Sequence, residues 1–261
     1  MFFDIHTHAF HPKIAHKAVD HLNTVYHLDC RGDGTIEHLL EREKAAGIDR
    51  CIVLCAATAP AQVIPANNYA MKLQREHEEV IGFGTLHPAY VDWEDELERM
   101  KAGGLRGIKL HPDFQGFALN DRRLLPIFES AQDDFVFEIH IGSDDPLDKA
   151  PSSPFMLADL PRLRVIGAHF GGYQMWDYSL EALGDFENLW IDTSSTTPYV
   201  TPSLLQRLLA RHSPDRLLFG TDWPLYDPAR ELERLRTMSG LSEDAIERIL
   251  SNAGRLLGIG A

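Results

Sequence analysis

Eight short apolar runs alternating with helical stretches predict an α/β fold, a single (β/α)8 barrel of the TIM type filling residues 1–261. Two further observations point the same way. The length suits eight strand–helix units, and strands that alternate with helices imply a parallel sheet with helical crossovers. Polar residues also recur at the carboxyl end of run after run. A doubly wound open sheet is the structural alternative. No GxGxxG follows the first run and no P-loop occurs, which removes its usual nucleotide-binding versions.

The runs are Phe2–His8, Arg50–Ala57, Val80–His87, Leu105–His111, Phe135–Ile141, Arg164–His169, Leu189–Ser194 and Arg216–Asp222. Each reads as a buried strand from its length, its Val/Ile/Phe content and its flanking turn residues. Helical spacing fills most of the gaps. Thr35–Ala46 starts on a capping threonine and stops at Gly47. Asp92–Ala102, Asp121–Gln132, Pro202–Arg211 and Pro228–Met238 follow. Ser242–Leu250 opens with Ser-Glu-Asp, a capping residue followed by acids at the positive end of the helix dipole. Two stretches fall outside the repeat: a histidine-rich loop insertion after the first strand, Phe10–Gly34, and Gly142–Pro161. In a barrel both lie over the strand carboxyl ends, where substrate loops belong.

Composition narrows the function. The chain carries 25 Lys+Arg against 39 Asp+Glu, a formal charge of −14. A phosphate-backbone binder needs a basic surface, so neither nucleic acid nor an anionic membrane is the expected partner. Three cysteines, Cys30, Cys51 and Cys55, lack CxxC spacing and predict neither a disulfide framework nor a structural zinc site. No apolar run approaches the ~20 residues that span a bilayer. The opening MFFDIHTHAF has neither the basic nor the long apolar region of a signal peptide. The expectation is a soluble, cytoplasmic protein with a small-molecule substrate, and a homodimer by base rate.

The chemistry sits at the strand ends. His6 and His8 are two apart, so both imidazoles share one strand face and make half of a zinc-type site. Lys109 and His111 end the fourth run, Glu138 and His140 the fifth, and His169 the sixth. Asp192 and Ser194 end the seventh and Asp222 the eighth. Burial alone gives no reason for His and Asp to gather there. His6, His8, His140 and Asp222 supply three imidazoles and a carboxylate. That set suits one divalent ion, Zn2+ in the first place and Mn2+ as the alternative, with a position open to water. Such an ion lowers the pKa of that water towards ~7. Asp222 is positioned to accept a proton, and His169 to act as general acid/base. Asp4 shares the face of His6 one step deeper and reads as its supporting partner.

The motifs DIHTH, GIKLHP, EIHIG, GAHFGG, FGTDWP and NAGRLLG occur in order over nearly the whole chain. In these the sequence resembles the amidohydrolase superfamily. It is most similar to the amidohydrolase 2 branch, which holds metal-dependent hydrolases and relatives of aminocarboxymuconate semialdehyde decarboxylase. The resemblance implies the barrel, ligation by His6, His8, His140 and Asp222, and a catalytic role for His169 with Asp222. Some superfamily members bridge two metals with a carboxylated lysine. Lys109 and Glu138 stand at equal depth on neighbouring strands, so a buried ion pair is the preferred reading over a bridge. His111, Lys109 and Trp223 are the candidate substrate-binding residues. Core packing is the alternative for Trp223, and a hydrogen bond within the barrel mouth for His111 and for His87.

The first functional expectation is a metal-dependent hydrolase acting on an amide, ester or lactone of a small, carboxylate-bearing molecule. The second is a non-oxidative decarboxylase of an unsaturated or aromatic acid at the same site, with Arg31 as a possible carboxylate contact. A TatD-like deoxyribonuclease ranks below both, because the charge is wrong for DNA.

Overall fold

The computed structural model describes residues 1–118, 121–142, 159–183 and 186–259. Eight parallel strands appear in chain order in the sheet: β1 (Phe3–Thr7), β2 (Arg50–Leu54), β3 (Val80–Thr85), β4 (Gly107–Leu110), β5 (Val136–Ile139), β6 (Arg164–Gly167), β7 (Leu189–Asp192) and β8 (Leu217–Leu218). Each stops one to four residues short of its predicted carboxyl end, and in most of them the residues left out of the ladder include the polar ones. The longer helices are α1 (Ala15–Tyr26), α2 (Ile36–Ala46), α3 (Val63–Glu76), α4 (Trp93–Ala102), α5 (Leu124–Ala131), α6 (Trp176–Ala182), α7 (Pro202–Arg211), α8 (Pro228–Ser239) and α9 (Glu243–Leu257). Helix α1 occupies the stretch expected to be a loop insertion, and α3 and α6 fall where no helix was marked. Of Gly142–Pro161, residues 143–158 lie outside the described residues. Among the described residues no helix is long and apolar enough to cross a membrane.

The chain divides into two compact units, Met1–Val53 with Thr193–Ala261, and Leu54–Asp192. In the first, β1 and β2 pair in parallel, Phe3 opposite Arg50 and Thr7 opposite Val53. The β8 segment runs beside β1 through Ile5 N–H to Phe219 O (2.9 Å), Asp222 N–H to His6 O (2.7 Å) and His8 N–H to Trp223 O (2.7 Å). Helix α2 starts where the Thr35 hydroxyl accepts the His38 N–H and stops at Gly47 in the left-handed region. Helix α9 is capped by Ser242 and buries Ile246, Ile249, Leu250, Ala253 and Leu257, a stripe of helical period. Phe3 of β1 lies so close to Gly254 that a Cβ there would stand 2.8 Å from the ring.

In the second unit the pairings are regular: Thr85 opposite Lys109, Lys109 opposite Glu138, Glu138 opposite Ile166, and Ile166 opposite Trp190. One buried amide fastens α3 to β3. Asn67 Nδ2 donates to Thr85 O (3.0 Å) and to Glu96 Oε1 (2.6 Å), and Oδ1 accepts the Thr85 N–H (2.7 Å). Asn67→Ala strands these buried groups, at about 2–3 kcal/mol. The expected fall in melting temperature, read by circular dichroism, is roughly 5–10 °C. An unchanged midpoint would contradict this role.

Candidate functional site

In the first unit the strand ends bring two imidazoles onto one carboxylate oxygen. His6 Nε2 lies 3.5 Å and His8 Nε2 3.4 Å from Asp222 Oδ1. The ring centroids are 5.2 Å apart and nearly perpendicular. The ligand atoms all lie within 4.8 Å of one another. His6 and Asp222 are buried and His8 is partly exposed. This donor set, two nitrogens and one oxygen with water access beside His8, fits a first-row divalent ion.

The backbone makes the arrangement stiff. The Asp222 and His8 amides are both tied across β1 and β8, and Asp222 is held at φ 64°. For a non-glycine residue that conformation is uncommon. Ser194 Oγ lies 3.0 Å from His6 Nδ1, and Ser195 Oγ donates to Asp222 Oδ2 at 2.5 Å. Cys30 is half-buried nearby. Burial first, then the charges of Asp222 and Asp29, push its thiol up to about 11.

Asp4 takes the supporting place expected for it. Its Oδ1 accepts the N–H groups of His6 (3.0 Å) and Thr221 (3.1 Å), and its Oδ2 accepts the Thr221 hydroxyl (2.5 Å). Burial pushes its carboxyl up to about 7 against these hydrogen bonds. Glu43 of α2, also buried, meets the Asp4 carboxyl in a side-chain hydrogen bond. Burial, then the charges of Asp4 and Asp227, hold its carboxyl well above the usual range. Both acids have a folded pKa above the unfolded one. Their contribution to stability is therefore complete at acid pH and lost as pH rises through the folded values. The metal-free chain is expected to lose stability between about pH 4 and pH 7 as Asp4 ionises. Glu43→Gln should raise its melting temperature at pH 8 by roughly 3–6 °C and by less at pH 5, read by scanning calorimetry. A lower midpoint at pH 8 would contradict the assignment.

The second unit carries the other histidines. His111 caps a one-turn helix, Pro112–Gln115, and its ring stacks between Phe114 (4.1 Å) and His140 (4.0 Å). His140 Nδ1 lies 2.9 Å from His169 Nε2, and His140 Nε2 lies 3.1 Å from Gly142 O. Both nitrogens of this expected ligand thus have near neighbours, and ligation through either must replace one of them. His169 is buried in a left-handed turn, φ 60°, with its N–H on Asp192 Oδ1 (2.9 Å) and its carbonyl accepting from Trp176 Nε1 (3.0 Å).

Lys109 and Glu138 pair in register, Nζ to Oε1 3.9 Å, with both side chains fully buried. The two charges are thus close enough for a buried ion pair. Trp223 is likewise fully buried, met edge-on by His38 and by Gly32, where a Cβ would stand 2.1 Å from the indole. Lys109 and Trp223, both named above as candidate substrate contacts, thus have no exposed surface in this structure. His111 retains 7% exposure. His87 is a structural residue, its Nε2 on Gln115 O (3.1 Å) and its Nδ1 accepting the Ala89 N–H (3.1 Å). Gly171 serves packing: it has φ 65°, and a Cβ there would stand 2.1 Å from Leu183. Ser195 and Glu43 were missed by sequence reasoning. The Ser194-Ser195 dipeptide directly after a strand was the one available signal.

Eight parallel strands with imidazoles and carboxylates at their carboxyl ends define a (β/α)8 protein built around a metal-competent site. Residues 3–259 match the Amidohydro_2 model, described as amidohydrolase. The chain belongs to this amidohydrolase family, whose members are metal-dependent hydrolases and decarboxylases. No curated protein matches it. Among solved structures it is similar to an uncharacterized TIM-barrel protein, Bb4693, from Bordetella bronchiseptica (17% identity, TM-score 0.73, 98% of each chain covered). It is also similar to a "probable 2-pyrone-4,6-dicarboxylic acid hydrolase" from Acinetobacter baumannii with citric acid bound (18%, TM-score 0.69, 99% of each). A third is a dihydroxybenzoic acid decarboxylase from Polaromonas sp. JS666 with manganese and 2-nitroresorcinol (18%, TM-score 0.73, 98% of this chain and 96% of that one). At these identities the likeness establishes the fold, the (β/α)8 barrel.

Proposed function

We propose that this chain is a metal-dependent hydrolase of a small, carboxylate-bearing lactone, ester or amide. The observation that carries the reading is the convergence of His6 Nε2 and His8 Nε2 on Asp222 Oδ1. Those three residues would hold the ion, which supplies Lewis acidity and acidifies water when bound. Asp222 takes up the proton released when water adds to the carbonyl, through its carboxylate. His169 returns a proton to the leaving oxygen or nitrogen from Nε2. His140 Nδ1, 2.9 Å away, accepts from that nitrogen and orients the ring, because His140 Nε2 carries the proton that meets Gly142 O. His111 contacts the substrate. His140 as a fourth ligand remains the expectation from the family resemblance, and zinc or manganese are the ions to test.

Decarboxylation of an aromatic or unsaturated acid is the second reading, supported by the fold shared with the dihydroxybenzoic acid decarboxylase. There the His140–His169 pair would protonate the carbon that loses carbon dioxide.

Incubating the zinc- and manganese-loaded chain with dicarboxylate lactones, aryl esters and hydroxybenzoic acids separates the two. Acid release without carbon dioxide is the expected result. Carbon dioxide from a hydroxybenzoic acid would replace hydrolysis by decarboxylation.

A further inference from the structure

The loop after β7 carries two hydroxyls that reach the two buried members of the His6–His8–Asp222 cluster from outside. Ser194 Oγ sits 3.0 Å from His6 Nδ1, and Ser195 Oγ donates to Asp222 Oδ2 at 2.5 Å. Both serines are almost fully buried, at 1% and 2% exposure. Each meets the atom of its partner that faces away from the cluster. His6 presents Nε2 to Asp222, and Asp222 presents Oδ1 to both imidazoles.

The chain strains itself to make these contacts. Ser195 is held at φ 45° and Asp222 at φ 64°, so both ends of one hydrogen bond lie in the left-handed region that L residues seldom adopt. Gly220 permits the approach on the other side. A Cβ at that position would stand 2.9 Å from His6 Cβ and 3.3 Å from Ser194 Cβ. The loop is itself tied down: Thr196 Oγ1 donates to Ser194 O (2.8 Å), and the Thr193 N–H donates to Leu218 O (3.1 Å).

We propose that Ser194 and Ser195 are the positioning pair of the metal site, one setting the tautomer of His6 and the other the carboxylate orientation of Asp222. The inference rests on the metal reading above. An imidazole that ligates through Nε2 must carry its proton on Nδ1, and that N–H then donates to Ser194 Oγ. A carboxylate that ligates through one oxygen is free to swing about its terminal torsion unless the other oxygen is held, and Ser195 holds it. Each serine acts through the residue it holds.

The test compares Zn2+ affinity, by competition with a chromophoric chelator, and the visible spectrum of the Co2+ form. It uses the wild-type chain, Ser194→Ala, Ser195→Ala and Ser195→Gly. Outer partners of this kind are worth roughly 10–100-fold in affinity. Each variant is expected to lose that much and to shift the Co2+ bands. Ser195→Gly is the decisive one, because glycine accepts the left-handed backbone without strain. Its metal-free melting temperature should hold or rise while its Zn2+ affinity falls. Affinities within about twofold of wild type would overturn the proposal. So would an affinity loss in Ser195→Gly that merely accompanies a lower metal-free melting temperature. A wild-type chain that takes up neither Zn2+ nor Co2+ would defeat the metal reading itself, and this inference with it.

Discussion

His6→Ala is expected to remove the bound ion and the turnover together. His6 is the most enclosed of the three convergent ligands, at 1% exposure, and its Nε2 stands 3.5 Å from Asp222 Oδ1. Truncation leaves His8 and Asp222, two donors from a first-unit set of three, and an alanine cavity beside Ser194. Two ligands on a partly exposed rim hold a divalent ion far less tightly than three. Ion content should fall from about one equivalent per chain to a small fraction, measured by elemental analysis after dialysis. Turnover should fall by roughly 10³-fold or more, since the water-activating group departs with the ion. His16→Ala is the control: that imidazole lies on α1 with its side chain 93% exposed, and neither quantity should move. Retention of both ion and turnover in His6→Ala would remove His6 from the site.

His169→Asn is expected to separate chemistry from metal binding. Asparagine tolerates the left-handed backbone that His169 adopts at φ 60°, so the turn and its N–H bond to Asp192 survive. The imidazole, and with it the 2.9 Å contact to His140, does not. Loss of a positioned general acid/base costs about 10²–10⁴-fold in kcat. The expected variant therefore holds its ion at saturating Zn2+ and turns over at least a hundredfold more slowly. Near-normal kcat would show that another group carries the proton.

Much of this was legible because the side chains concerned interrupt a strong pattern. A His-x-His inside an apolar strand has one geometric meaning, and Asp222 stands out at the end of LLFGTD. The Lys109–Glu138 pair followed from counting back two residues from His111 and His140, and the register sets the two opposite each other. Most strand ends were read too long because their polar residues continue the chain direction without continuing the ladder. Helix α1 was hidden by its histidines, which suggested a loop, although Ala15 and Val19 give it a buried side. Glu43 reads as a solvent-facing helix acid. Only the placement of α2, with Ile36 and Leu39 on the same face, reveals it as buried beside Asp4. Ser195 carries no periodic signal, because its role depends on a left-handed turn that no spacing encodes. His140 was named a ligand from its place in the motif. Its ring nitrogens here face Gly142 and His169, a matter of ring orientation that sequence does not specify.

The claim on which everything else depends is that His6, His8 and Asp222 hold a divalent ion. Elemental analysis of the untagged chain, purified without chelator and dialysed against metal-free buffer, tests it directly. The account predicts about one equivalent of zinc or manganese per chain. A chain that carries no metal, and takes up none after incubation with either ion, would contradict it.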